Sequence, residues 1–364
     1  MTKPTQLTFW REAPTMRDVA DLVRAGGTGA LTEADRRADQ TRYQEVRCRS
    51  ALNRAYGMPF SWTLNPYRGC THGCHYCYAR KYHKQFEMNA DDEFASVILV
   101  KTNIVEALRR ELRRPSWTGE LVAIGSATDC YQPIEGHYKL TRGALEALLE
   151  HRNPASIVTK GPMIVRDKDL LTRLSAVEGS TVYVSVPCAD EAVCEELEPG
   201  TASPRQRLRA ARELADAGVR VRILMSPIVP GFSSKPALIE RTVEACAAHG
   251  VRIAAGNVMH LEEGARTHFF AWLEREHPAL VQGYRKLYEG QNAPAAYTKE
   301  VARVLSDARA KADRKGLSFA ARSLGYQTGV NQSCRAATRP RTTASNCSDR
   351  RRVTGPAWPS PTGR

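Results

Sequence analysis

Six strand-like segments alternate with helix-like segments along the middle of this chain. The strand candidates are short and rich in β-branched residues, at 62–67, 121–125, 156–159, 181–186, 220–225 and 251–255. Helix-like segments lie near 139–150, 167–174 and 236–248, and Gly218 is suited to end another helix. Strands that alternate with helices pair in parallel, because each helix carries the chain back to the same end of the sheet. The pattern therefore predicts an α/β fold with a parallel sheet.

The chain on either side of these segments has a different character. Residues 1–57 are polar and arginine-rich, and their glycines interrupt any long helix, so we expect an N-terminal extension. The core is predicted at 58–260, with an added strand and helix at 94–115. Residues 261–316 have helical periodicity and predict a C-terminal helical region. Residues 317–364 are rich in Arg, Ser, Thr and Pro, and we expect a disordered basic tail.

Composition and charge limit the classes of protein. A chain of 364 residues with 42% hydrophobic residues can bury a large core. The net charge of +14 suits a polyanionic partner, but residues 334–364 hold seven arginines against one acid, so the tail supplies much of this charge. No apolar run reaches the roughly 20 residues of a membrane span, and the first residues lack a signal-peptide pattern. We expect a cytoplasmic protein without a membrane partner, and its oligomeric state stays open.

Three cysteines share one loop after the first strand candidate. Cys70, Cys74 and Cys77 have Cx3Cx2C spacing, so their thiolates could bind three irons of a cubic iron–sulfur cluster. No fourth cysteine lies nearby, and an iron without a protein ligand can accept an exchangeable one, as in open metal sites. Gly69 and Gly73 would let the backbone approach a bulky cluster closely. The triplet therefore predicts an iron–sulfur site with one open position.

A structural zinc site is the alternative interpretation of the same loop. His72 or His75 could complete a Cys3His set, and thiolates suit both zinc and iron. Zinc ribbons, however, usually carry two paired cysteine clusters. The other seven cysteines of this chain are scattered singly, at positions 48, 130, 188, 194, 246, 334 and 347. The pattern favours the iron–sulfur site.

The loop resembles the signature of the radical S-adenosylmethionine (SAM) superfamily, in which an aromatic residue, here Tyr76, precedes the last cysteine. The string 74–78 is similar to the spore photoproduct lyase and DNA-repair-photolyase-like branch. Further motifs at 128–135, 158–160, 197–205 and 225–231 extend this likeness. The segment 260–273 is similar to actinobacterial members of the branch.

The resemblance implies both a fold and a chemistry. The fold is a partial (βα)6 TIM-like barrel, and the cofactors are a [4Fe–4S] cluster and SAM. One electron from a flavodoxin- or ferredoxin-type donor would cleave SAM to methionine and a 5′-deoxyadenosyl radical, which abstracts a substrate hydrogen. The substrate is unknown, with a nucleic-acid lesion as the candidate that the branch suggests. The alternative is a zinc- or cluster-stabilised nucleic-acid-binding protein without catalysis.

Candidate SAM-binding residues follow the strands, because sites in parallel barrels gather at the carboxyl ends of strands. By resemblance, Tyr76 would lie beside the adenine. Ser126, Thr128 and Asp129 occupy the place of the residues that hold the methionyl ammonium, although the usual Gly-Gly-Glu is absent. The carboxylate and ribose have three candidates: Lys160, Ser185 and Arg205. Simpler roles stay open: Lys160 as a solvated cation, Ser185 as a strand residue, and Arg205 as part of a helix that Ser203 caps.

Cys130 has two interpretations. Spore photoproduct lyase uses a cysteine beyond its second strand as a hydrogen donor, and Cys130 lies in the corresponding loop. That donor aligns a few residues earlier, however, near Ser126. A buried, inert thiol is therefore the alternative reading of Cys130.

Overall fold

The main sheet of the protein has seven strands. The structure is a computed structural model that describes residues 41–84 and 93–315. Its strands are β1 Arg42–Val46, β2 Leu52–Arg54, β3 Trp62–Leu64, β4 Tyr67–Arg68, β5 Val97–Lys101, β6 Val122–Ile124, β7 Ala155–Thr159, β8 Thr181–Ser185, β9 Val221–Ile228 and β10 Ile253–Val258. The main sheet has the order β10-β9-β8-β7-β6-β3-β2.

Six of these strands are parallel and follow one another in chain order. Neighbouring strands pair in parallel throughout the series β3, β6, β7, β8, β9 and β10. Strand β2 pairs with β3 in the antiparallel direction. Their interior positions are apolar, as in Ile124, Ile157 and Ile223, which are fully buried. The α/β prediction and its six strand positions are confirmed, and this is the partial (βα)6 barrel that the motifs implied.

Helices connect the strands and cover the outer face of the sheet. They are α1 Lys81–Lys84, α2 Glu93–Ser96, α3 Ile104–Leu112, α4 Glu135–Tyr138, α5 Leu140–Glu150, α6 Lys168–Ser175, α7 Glu191–Leu197, α8 Pro204–Asp216, α9 Pro236–Ala248, α10 Glu263–Glu276, α11 Val281–Leu287 and α12 Ala295–Arg314. Ser203 caps α8 through a reciprocal pair of hydrogen bonds with Gln206, and Gly218 follows the end of α8 at a φ of 84°. Both features were expected from the sequence.

A second, smaller sheet contains part of the N-terminal segment. Its order is β1-β5-β4, with β1 and β5 parallel and β4 and β5 antiparallel. Residues 42–46 and 52–54 of the predicted extension are therefore strands that pair with the two sheets. Short strands of a few paired residues carry too little periodicity to be recognised in sequence. Residues 1–40 of the predicted extension and the predicted tail beyond 315 lie outside the described residues.

The C-terminal helices pack against the barrel. Helix α12 lies along α9, where Lys311 pairs with Glu240, and Leu305 packs on Gly256 of β10. In the part of the chain that the structure describes, no helix combines the length and apolar character of a membrane span.

Candidate metal and cofactor site

The cysteine loop lies beyond β3 and β4, at the end of the barrel where the parallel strands finish. Gly69 and Gly73 have positive φ values of 84° and 60°, a conformation that side chains disfavour. The Cys70 amide donates to the Phe94 carbonyl at 2.9 Å, and the Cys77 amide donates to the Cys74 carbonyl at 3.2 Å. The expected role of the glycines in shaping a tight loop thus has a structural basis.

The segment after β6 forms hydrogen bonds with one side of the cysteine loop. The Thr128 hydroxyl donates to the Gly69 carbonyl at 2.5 Å. The Gln132 side chain accepts a hydrogen bond from the Thr71 amide at 3.1 Å and donates to the Gly69 carbonyl at 3.3 Å. Both side chains are buried. The motif at 128–135 therefore fixes the backbone of the cysteine loop.

Asp129 completes this attachment and joins the loop to β7. Its carboxylate accepts hydrogen bonds from the Thr159 hydroxyl at 2.6 Å and from the Tyr131 and Lys160 amides at 2.8 and 2.7 Å. His72 Nδ1 lies 3.4 Å from the same carboxylate. Burial would raise the pKa of Asp129, but His72 and these donors hold it well below its usual range. The expected binding of a ligand ammonium stays a prediction for this residue, whose oxygens already have four protein partners.

The segment after α7 forms hydrogen bonds with the other side of the cysteine loop. The His75 amide donates to the Leu197 carbonyl, and the Gly200 amide donates to the His72 carbonyl at 3.0 Å. The approach is so close that a Cβ on Gly200 would collide with the Thr71 carbonyl oxygen. Only glycine fits this contact.

The surroundings of the three thiols bear on the choice between an iron–sulfur cluster and a zinc ion. In the described ranges, no three His, Cys, Asp or Glu side chains converge closely enough to hold one metal ion. His75 instead stacks on Trp272 with ring centroids 4.6 Å apart, and its Nδ1 lies 3.0 Å from His268 Nε2. Burial and its cationic neighbours lower the pKa of His75 to about 3. Three thiols on one loop match the donor set of an iron–sulfur cluster.

The electrostatic surroundings of the thiols also favour a cationic centre. Burial raises the pKa values of Cys74 and Cys77, and Lys160 opposes this increase for both. Thiolates at this place therefore need a positive partner, which bound iron and the Lys160 ammonium would supply together.

A buried carboxylate joins the cysteine loop to the fourth parallel unit. Glu198 accepts a hydrogen bond from the Tyr76 hydroxyl, and its Oε1 lies 3.7 Å from Lys160 Nζ. Arg207 Nη2 lies 2.6 Å from the other oxygen, and both side chains are 1% exposed. Lys160 also lies 5.7 Å from the centre of the Tyr76 ring. Lys160 and Arg207 both pair with the Glu198 carboxylate. The three side chains together therefore carry a net positive charge, which an anionic ligand could neutralise.

Ser126 and Ser185 lie at the ends of parallel strands. The Ser126 hydroxyl accepts a hydrogen bond from Asn65 at 3.2 Å, and its carbonyl accepts one from the Tyr78 hydroxyl. The Ser185 hydroxyl donates to the Ser226 carbonyl at 3.4 Å, and Ser185 is buried. Contacts of either serine with a cofactor remain predictions.

Arg205 is not brought to the site. It lies on the exposed surface of α8, where it pairs with Glu191 at 3.8 Å. Arg207, two residues further on, points inward, because two residues turn an α-helix by a little more than half a turn. The expected role of Arg205 in binding the carboxylate or ribose stays a prediction, and the arginine of α8 that pairs with Glu198 is Arg207.

Cys130 is fully buried in the main core. Its thiol lies 3.8 Å from the Val158 carbonyl, beside Gly125, and burial raises its pKa. This placement agrees with the buried-thiol interpretation. In the described part of the protein, no structural observation supports a hydrogen-donor role.

Sequence reasoning missed Glu198, Arg207 and Gln132 as site residues. Glu198 and Gln132 lie inside motifs that the sequence analysis quoted, so their motif positions were the available signal. Arg207 lies beyond its motif and carries no local signal, since only the direction of α8 shows that it points inward.

Parts of this chain are similar in sequence to known proteins. A family model described as the Radical SAM superfamily matches residues 64–260. An uncharacterised protein of Mycobacterium tuberculosis is 37% identical over 263 residues, which cover 71% of this chain and 77% of that protein. A Pseudomonas phage M6 protein named radical SAM Nalpha-GlyT isomerase is 28% identical over 168 residues, which cover 46% of this chain and 33% of that protein.

Solved structures with the same fold are also found. Spore photoproduct lyase complexed with dinucleoside spore photoproduct has a TM-score of 0.58 at 16% identity, over 78% of this chain and 86% of that chain. A mutant of that enzyme with bound AdoMet and dinucleoside spore photoproduct has a TM-score of 0.58 at 15% identity, over 82% of this chain and 92% of that chain. At such identity the likeness concerns the fold.

Proposed function

The chain belongs to the radical S-adenosylmethionine superfamily, a superfamily of enzymes, and from this membership we propose that Cys70, Cys74 and Cys77 bind a [4Fe–4S] cluster whose open iron binds SAM. When bound and reduced by a one-electron donor of the flavodoxin or ferredoxin type, the cluster supplies the electron that cleaves SAM to methionine and a 5′-deoxyadenosyl radical. The observation that carries the proposal is the cysteine loop, held at the strand ends by Thr128 and Gln132.

The chain's own residues would position the cofactor and keep water away from it. Lys160 and Arg207 provide the positive charge for the SAM carboxylate, with Glu198 between them. The hydrogen bond from Tyr76 to Glu198 fixes the aromatic ring beside the last cysteine, where the adenine is expected. The burial of Tyr76 excludes solvent from this side of the site. The remaining proposed contacts, for the ammonium and the ribose, are Ser126, Thr128, Asp129 and Ser185.

A nucleic-acid lesion is the substrate class that we propose to test first. Spore photoproduct lyase, whose fold this chain shares, is seen in complex with a dinucleoside photoproduct. The proposal ends at hydrogen abstraction and assigns no hydrogen donor, because Cys130 is buried in the core.

Anaerobic reconstitution with iron and sulfide tests the proposal. The wild-type protein should bind about four irons, absorb visible light as a [4Fe–4S] protein does, and form 5′-deoxyadenosine from SAM when dithionite is added. Changing Cys70, Cys74 or Cys77 to Ala should abolish all three properties. Cys246→Ala, at a buried cysteine of α9, is the matched control and should retain them.

Two results would contradict the proposal in different ways. A colourless product that binds zinc and no iron would support the structural zinc site. A protein with a full cluster that forms no 5′-deoxyadenosine would instead support a binding role without catalysis.

A further inference from the structure

A basic groove lies along the outer face of α3 and shares no residue with the site described above. Its volume is about 620 Å³. Four arginines line it, Arg47, Arg109, Arg110 and Arg113, together with Thr102 and Asn103 at the start of the helix. We call this feature the α3 groove.

The backbone before α3 turns Arg47 toward the groove. Asn103 accepts a hydrogen bond from the Cys48 amide at 2.8 Å and donates one to the Cys48 carbonyl at 2.9 Å. Val46 and Cys48, on either side of Arg47, are buried. Successive side chains of an extended segment point in opposite directions, so Arg47 points outward.

The helix presents Arg109 and Arg110 on its outer face, and Arg113 directly follows its last residue. Leu108 and Leu112 occupy its inner face and are buried. Its acid Glu111 also points inward, where its two oxygens accept hydrogen bonds from the Ala51 and Leu52 amides at 3.0 and 2.9 Å. The outer face is thus left with arginines and one exposed acid, Glu106.

The positive charge of the groove is only partly neutralised. Arg109 forms a two-pronged ion pair with Glu150, with contacts at 2.8 and 3.0 Å. Arg110 lies 4.0 Å from Glu106, at the limit of an ion pair. Within the described ranges, Arg47 and Arg113 form no ion pair, although Arg113 contributes with Arg109 to lowering the pKa of Glu150. Four guanidinium groups therefore face two carboxylates.

We propose that the α3 groove binds the phosphodiester backbone of a nucleic-acid strand. Guanidinium groups match phosphate oxygens in shape and charge, and Thr102 and Asn103 add polar groups at one end. Among the described residues, none that lines the groove is an aromatic residue on which a base could stack. Its geometry therefore suits contacts to the backbone, independent of base sequence. The inference does not rest on the proposed catalysis, because this binding requires neither the cluster nor SAM.

Salt dependence of strand binding tests this inference. The full-length, cluster-loaded protein would be titrated against a fluorescent single strand of about 20 nucleotides at several NaCl concentrations, without SAM or reductant. The double variant Arg47→Ala/Arg113→Ala should bind more weakly, and its slope of log K against log salt should be shallower by about 1.4, since each lost phosphate contact contributes about 0.7.

A second double variant controls for net charge. Arg173→Ala/Arg209→Ala removes two exposed arginines of α6 and α8 that lie outside the groove, and it should bind like the wild type. Equal losses in both double variants, or no loss in the groove variant, would overturn the inference. Displacement of the strand by inorganic phosphate as effectively, per phosphate, as by unlabelled strand would also overturn it in favour of a small-anion site. SAM cleavage by the groove variant should be unchanged, which separates this result from a failure of the catalytic proposal.

Discussion

At the scale of single residues, Glu198 connects three separate parts of the candidate site. It contacts Tyr76 of the cysteine loop, Lys160 after β7 and Arg207 of α8. Arg207 and Lys160 keep the pKa of Glu198 below its usual value although burial opposes this. A buried carboxylate that binds two cations sets their positions as well as their charge.

Replacing Glu198 with Gln should weaken SAM binding. The substitution keeps the shape but leaves Lys160 and Arg207 without their shared anion, so the two cations repel and lose their fixed positions. We expect the Kd for SAM to rise about tenfold or more in anaerobic equilibrium dialysis, which corresponds to about 1.4 kcal/mol. Glu191→Gln, at an exposed acid, is the control. Equal SAM affinity in the Glu198 variant and the wild type would contradict a positioning role.

The buried side chain of Lys101 should make the free energy of unfolding depend on pH. Its ammonium is buried and donates to the Asn65 carbonyl at 2.8 Å, and burial together with Arg68 lowers its pKa from 10.5 to about 8. Between these two values the unfolded chain binds more protons than the folded protein, so stability rises with pH in this window. The change in the pKa of Lys101 corresponds to about 3 kcal/mol in the free energy of unfolding.

Urea unfolding of wild type and Lys101→Met between about pH 7.5 and pH 10.5 measures this effect. The free energy of unfolding of the wild type, relative to that of the variant, should increase with pH. A difference that stays constant with pH would show that Lys101 has an ordinary pKa in the folded protein.

At the scale of elements, the cysteine loop depends on two segments distant in sequence. The segment after β6 binds its backbone through Thr128 and Gln132, and the segment after α7 packs Gly200 against it. The shape of the cysteine loop is thus imposed by the ends of two other parallel units.

Gly200→Ala should displace the loop and impair cluster retention. The new Cβ would clash with the Thr71 carbonyl, a backbone atom that can move only with the loop. We expect a lower iron content after anaerobic gel filtration. Gly283→Ala, in a helix where a Cβ meets nothing within 4 Å, is the control and should retain iron fully. Equal iron in both variants would show that the Gly200 contact does not support the loop.

At the scale of the whole molecule, α12 covers the edge strand β10 of the main sheet. Leu305 is buried against Gly256, where a Cβ would come within 2.5 Å of the leucine Cδ2. The C-terminal helical region therefore belongs to the same folded core as the barrel.

A double-mutant cycle tests this packing. Leu305→Ala should lower the free energy of unfolding by about 2–5 kcal/mol through the cavity that it leaves. Gly256→Ala should cost about 1–3 kcal/mol by overpacking. In the double variant the added methyl partly fills the cavity, so the loss should be smaller than the sum of the single losses. Additive losses would mean that the two residues do not pack together.

Sequence reasoning succeeded where the signal is local. The six parallel strands, the cap at Ser203 and the turn at Gly218 depend on neighbouring residues, and each was found near its predicted place. It failed for β1 and β2, which are too short for a clear period. It also did not find Arg207, which pairs with Glu198, because the rotation of α8 about its axis is set by packing.

The sequence by itself determined the parallel α/β architecture and the three cysteines of the loop, because periodicity and spacing are written in consecutive residues. Only the tertiary structure decided which side chains surround those cysteines. Gln132 is 61 residues from its partner Thr71, and Glu198 is 122 residues from its partner Tyr76, yet the barrel brings these strand ends together. Contacts of this kind depend on how whole elements pack, and no local pattern encodes them.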